Sequence, residues 1–94
     1  MESCHQPLLN EDLLKFPCRF EIKVLGRKSS EFEEHISAIV NRHLSGASIL
    51  GKRFRCSRQG RYISVTCMFR AVSREQLDAI YLDLNSEPGV LMTL

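Results

Sequence analysis

The chain has 94 residues, 44% of them apolar and 26% charged, with a formal net charge of +2. That length supports one domain with a single modest core, and that composition fits an ordinary globular protein rather than a disordered or fibrous one. No stretch approaches the roughly 18 consecutive apolar residues of a membrane-spanning helix, and a start holding Glu2, Glu11 and Asp12 does not read as a secretory leader.

Residues 1–7 form a polar lead with nothing to hold it, so disorder is expected there and residues 8–94 are taken as the single domain. Asn10 suits the cap of a short helical turn. Leu9 and Leu14 stand at the positions of a hydrophobic staple, and Phe16-Pro17 ends the turn. From Cys18 to Leu25 the side chains alternate, with Phe20, Ile22 and Val24 inward and Arg19, Glu21 and Lys23 outward. This is a strand closed by Gly26. Ser30 and Glu33 have the spacing of a capping box opening a helix, whose buried stripe is Phe32, Ile36, Ile39, Val40 and His43. Gly46 suits the left-handed position at its end.

Ala47 to Ser57 reads as a weaker strand, with Leu50, Phe54 and Cys56 on one parity and Arg53 and Arg55 on the other. Arg58-Gln59-Gly60 turns the chain back. The clearest alternation follows: Ile63, Val65, Cys67 and Phe69 inward, Tyr62, Ser64, Thr66 and Arg70 outward. Ser73 and Gln76 form a second capping box, and Leu77, Ile80, Tyr81 and Leu84 make the apolar stripe of a second helix. Residues 85–89 are a dense turn, and Val90 to Leu94 is a short final strand.

The order is βαββαβ. Two helices on one face of a four-stranded antiparallel sheet make a ferredoxin-like α+β sandwich, whose usual strand order is 4-1-3-2. That order puts the two cleanly alternating strands in the middle and the arginine-rich strand on one edge, where basic side chains discourage aggregation. The four cysteines read as reduced thiols of a cytoplasmic protein, since Cys67 lies within the buried pattern and the domain has a core without disulfides.

Phe16-Pro17, Phe20 and Lys23-Val24-Leu25-Gly26 resemble the opening of the small YbeD-like proteins of proteobacteria. The run from Ser57 to Thr66 resembles their hairpin signature, followed by Glu75-Gln76-Leu77 and the closing Val90-Leu91-Met92-Thr93-Leu94. The resemblance spans roughly residues 13–94 in order and implies an ACT-like fold with no assigned activity. It also implies a regulatory role by similarity to amino-acid-sensing ACT domains, and a genomic setting near lipoyl transfer. The longer N-terminus and the cysteines depart from the family pattern.

No catalytic constellation stands out. His5, His35 and His43 are scattered, with no metal-ligand spacing, nucleophile elbow or phosphate-cradling loop, so neither an enzyme nor a metal or other cofactor is expected. Two surfaces are candidates for binding. The loop Gly26-Arg27-Lys28-Ser29-Ser30 leads from a strand into a helix N-terminus, where amides and two cations suit a small carboxylate, phosphate or amino acid. In ACT domains the equivalent loop contributes to the effector site, which Gly26 alone would inherit; a plain strand end with solvated cations is the blander alternative. The second candidate is the sheet face away from the helices, carrying Arg19, Lys23, Arg53, Arg55, Tyr62 and Arg70. It suits an acidic partner, or nucleic acid, although Ser64 stands where a second stacking ring would be expected. The blander reading is a solvated face.

The leading functional expectation is therefore a non-enzymatic regulatory or interaction domain, with small-ligand sensing its most specific form and binding of nucleic acid or an acidic partner through the arginine-rich face as the alternative. The unprotected final strand calls for cover from the segment Leu8 to Phe16. Arg53 and Arg55 would repel their copies across a two-fold axis, so a monomer or weak homodimer is expected.

Overall fold

The computed structural model describes residues 15–94; the expected lead at residues 1–7, and residues 8–14 of the expected helical turn and strand cover, lie outside them. Six elements follow one another: β1 (Cys18–Arg27), α1 (Phe32–Arg42), β2 (Gly51–Cys56), β3 (Tyr62–Ala71), α2 (Arg74–Asn85) and β4 (Val90–Thr93). The sheet is antiparallel in the order β2-β3-β1-β4, which is the 4-1-3-2 order expected of a ferredoxin-like sandwich. β1 and β3 pair without interruption from Cys18 opposite Ala71 to Arg27 opposite Tyr62, so they form the rigid centre.

Both helices lie on one face. Ile22, Val24, Val65, Cys67 and Phe69 from the central strands meet Ile36, Val40, Ile80 and Leu84 from the helices, all buried. Burying each such side chain is worth about 1.5–3 kcal/mol, which makes this layer the source of the fold's stability. Cys67 is buried there as a free thiol and its pKa is pushed up by desolvation. Cys18 is half-buried and Cys56 exposed, both free.

Several local expectations need correction. β1 does not stop at Leu25; it runs through Gly26 to Arg27, with a pairing irregularity between Leu25 and Gly26 on the β4 side. A side chain at Gly26 would meet the Phe32 ring at 2.3 Å and the Gly89 carbonyl at 2.6 Å, so the glycine is required by packing. α1 starts one residue later than the Ser30 cap implies. Glu31 stands at its N-cap without a side-chain bond, and the Glu33 carboxylate is taken by the Lys52 ammonium at 2.6 Å. For an ionised carboxylate, a cationic ammonium is a stronger partner than the backbone N–H of the cap. Gly46 has φ +90°, but α1 ends at Arg42 with His43 as its cap, so the glycine serves the following turn together with Ser45 at φ 52°.

β2 is shorter than Ala47–Ser57, and Leu50 and Phe54 are 59% and 52% exposed. On this edge strand Lys52 is the inward-parity residue that reaches a helix, through Glu33 and Ser37, while Phe54 and the preceding Leu50 stay exposed. α2 is capped as expected, Ser73 Oγ accepting from the Gln76 amide at 3.0 Å. The Gln76 carboxamide reaches back to the Val72 N–H, one residue before the cap, and donates to the His43 carbonyl. The β2–β3 turn closes with Gly60 at φ +74° and Ser57 Oγ accepting from the Arg61 and Tyr62 amides.

Candidate functional site

Strand register decides which side chains share the open face. Antiparallel partners point to the same side, so Arg55, Ser64, Leu25 and Met92 form one row across the four strands. Arg53, Thr66 and Lys23 form the next, extended by Leu94, which exchanges two backbone bonds with Lys23 at 3.2 and 2.8 Å. Arg19 stands opposite Arg70 at one end, and Arg27 opposite Tyr62 at the other. All six residues assigned to this face by alternation are thus on it. Arg27, assigned to the loop, joins them.

Ser64 and Thr66 are the low floor between these rows. Thr66 points outward, as the alternation requires, yet is buried, because Lys23 and Arg53 flank it from the neighbouring strands. Two overlapping depressions of about 600 and 630 Å³ lie over this floor, sharing Lys23, Arg55, Ser64 and Leu94. Among the described residues the only acid on the face is Glu21, whose carboxylate meets the Arg53 guanidinium at 3.4 Å. Arg19, Lys23, Arg27, Arg55 and Arg70 have no ion pair among the described residues.

The helical side is the opposite. Glu31, Glu33, Glu34, Glu75, Asp78, Asp83 and Glu87 are on the helices or their flanking turns. Several of them tie elements together: His43 Nε2 to Asp83 at 2.6 Å, Arg42 to Asp83 at 3.4 Å, and Lys52 to Glu33. The bond from Lys52 holds the Glu33 carboxyl below its usual range. His43 is therefore a strut between the helices.

The loop candidate is not assembled as an anion nest. Gly26 and Arg27 belong to β1, the Arg27 amide donates to the Gly89 carbonyl at 3.2 Å, and the Lys28 amide donates to the Arg61 carbonyl at 2.9 Å. Ser29 accepts from the Phe32 amide through its own carbonyl, while Ser30 lies in the turn before α1. Two of the donors the site would need are therefore spent within the fold.

Alternation missed Arg27, Leu25, Met92 and Leu94 as members of the open face. Carrying the odd parity of β1 through Gly26 would have found Leu25 and Arg27. Met92 and Leu94 depend on the register of β4 against β1, which a four-residue strand does not encode.

Fold and surface together define an ACT-like, ferredoxin-like α+β domain with one packed and one open sheet face. Solved structures share it: protein HP0495 from H. pylori has a TM-score of 0.67 at 13% identity, covering 86% of this chain and 85% of that one. The ACT domain from GTP pyrophosphokinase of Chlorobium tepidum has a TM-score of 0.63 at 13% identity, covering 81% and 84%. Residues 11–94 match the family described as "Protein of unknown function (DUF493)". The UPF0250 protein of Nitrosomonas europaea is 36% identical over 93% of this chain and 100% of its own length; that of Paraburkholderia phytofirmans is 40% identical over 92% and 97%. The chain belongs to this YbeD-like family of uncharacterised proteins.

Proposed function

We propose that this protein is a non-enzymatic interaction domain of the cytoplasm, regulatory in role, whose working surface is the open face of the sheet and whose partner is anionic. The observation that carries this reading is the separation of charge across the sheet. Six cations share the open face with Glu21 alone among the described residues, whereas the acids are on the helical side. Cations not neutralised within a fold raise the local concentration of anions and speed their association. The regulatory part rests on the fold shared with an ACT domain. An acidic partner is favoured over single-stranded nucleic acid because, among the described residues, Tyr62 is the only aromatic of outward strand parity, 38% exposed and at the end of the face. Sensing of a free amino acid at Gly26 to Ser30 is disfavoured by the committed amides of Arg27 and Lys28.

Amide chemical shifts test the choice of surface. Citrate titrated into the full chain is expected to shift Lys23, Ser64 and Thr66 saturably, with the response weakening as salt rises. Free amino acids are expected to leave Lys28 to Glu31 unmoved. Saturable shifts at Lys28 to Glu31 with an amino acid, and none on the face with citrate, would return the function to the loop.

A further inference from the structure

The open face is also asymmetric from edge to edge, and that asymmetry narrows its partner. On one side, β2 presents Arg53 and Arg55. On the other, Leu25, Met92 and Leu94 present apolar side chains, the last two 50% and 64% exposed. Between them lies the low floor of Ser64 and Thr66. From β2 to β4 there are three strand spacings, about 14 Å, and an α-helix with its side chains is about 10–12 Å across.

Spacing along the strands agrees with this width. Arg53 and Arg55 are two residues apart on a strand, hence about 6.6 Å, while carboxylates at i and i+4 of a helix are about 6 Å apart along its axis. Both side chains could thus be met by successive turns of one helix. Met92 and Leu94 repeat the same interval on the opposite flank. An extended segment lying on the face would leave its backbone groups without partners, whereas a helix satisfies its own.

We infer that this face is a cradle for an amphipathic acidic α-helix of a partner protein. It lies along the strands with its carboxylates toward Arg53 and Arg55 and its apolar side toward Leu25, Met92 and Leu94. The inference rests on the open-face reading and adds the partner's shape and chemistry. A second copy of this chain fits poorly, because docking its acidic helical layer onto this face would be a heterologous contact that generates open chains rather than a closed dimer.

The test uses a labelled synthetic peptide of about 16 residues, long enough to hold a helix. It carries Glu at i, i+4 and i+7 on one flank and Leu on the other. Controls are a scramble of the same composition, a version with a central proline, and a single-stranded oligonucleotide of similar charge. Fluorescence anisotropy with the full chain is expected to give saturable binding of the amphipathic peptide. Binding should be at least five-fold weaker for the scramble and the proline version, and at least ten-fold weaker for Arg53→Glu/Arg55→Glu. Met92→Ser is expected to weaken the amphipathic peptide but not the scramble, a difference that general attraction between charges would not produce.

Equal binding of peptide and scramble would overturn the helix cradle while leaving the anionic face intact. Absence of face shifts with citrate and peptide alike would overturn both. Tighter binding of the oligonucleotide than of the peptide would assign the face to nucleic acid. If binding emerges only in Glu11→Lys/Asp12→Lys, the face belongs to this chain's own N-terminal segment and the partner helix is overturned.

Discussion

The two faces of one sheet are built from alternate residues of the same strands, yet they are put to opposite uses. Toward the helices, Ile22, Val24, Val65, Cys67 and Phe69 are fully buried, and the charges above them are paired between elements. Away from the helices, the alternate residues Lys23, Arg53, Arg55 and Ser64 are carried on the same backbone, and only Arg53 has an acidic partner among the described residues. The comparison separates what holds the domain together from what it offers to others. Changes on the packed face should cost stability and leave binding chemistry alone. Changes on the open face should do the reverse.

The sharpest break of the comparison is at Phe69, fully buried in β3 with the Phe20 ring 6.2 Å away. Phe69→Ala is expected to cost about 3–5 kcal/mol through lost burial and the cavity left behind. Ser64→Ala, five residues earlier on the other face, should stay within about 0.5 kcal/mol. Urea midpoints compare them, and similar shifts would mean that the two faces are not so divided.

Gly26 comes next. Gly26→Ala places a carbon against both the Phe32 ring and the Gly89 carbonyl, so an overpacking cost of about 1–3 kcal/mol is expected. Adding Phe32→Leu should recover only part of it, because the backbone oxygen cannot move aside as a ring can. Full recovery in thermal unfolding would show that the ring alone dictates the glycine.

A smaller effect is expected where the helical layer is tied by charge. Asp83→Asn weakens the bonds to His43 and Arg42, and a loss of about 1 kcal/mol is expected. Glu33 adds a dependence on pH. Its pKa is lowered in the folded state, chiefly by the hydrogen bond from Lys52. The pair therefore stabilises the fold above the ordinary carboxylate range and loses that contribution as pH falls through the depressed folded-state value. Both side chains are about one-third exposed, so solvent screening holds the contribution to about 0.2–1 kcal/mol. Lys52→Met should flatten the acid limb of stability against pH; an unchanged limb would show that the pair contributes nothing.

The smallest effect on stability belongs to the most drastic change of surface. Arg53→Glu/Arg55→Glu on the open edge should alter the urea midpoint by no more than about 0.5 kcal/mol, despite four units of charge. A larger loss would make the arginines structural and weaken the case for a binding face.

Period and caps alone determined the βαββαβ order, the inward sets of β1 and β3, the α2 cap at Ser73, and the membership of Arg19, Lys23, Arg53, Arg55, Tyr62 and Arg70 in one face. These follow from the alternation of side chains along a strand and from hydrogen bonds that span three or four residues, both local in the chain. What only the tertiary structure decided depends on neighbours far away in sequence. Lys52 took Glu33 from its expected cap, Gly89 and Phe32 imposed the glycine at position 26, and Arg61 and Gly89 occupied the amides of the candidate loop. The register of β4 against β1 added Met92 and Leu94 to the open face. A side chain's periodicity fixes which way it points, but its partner is chosen by whichever group the fold brings within reach.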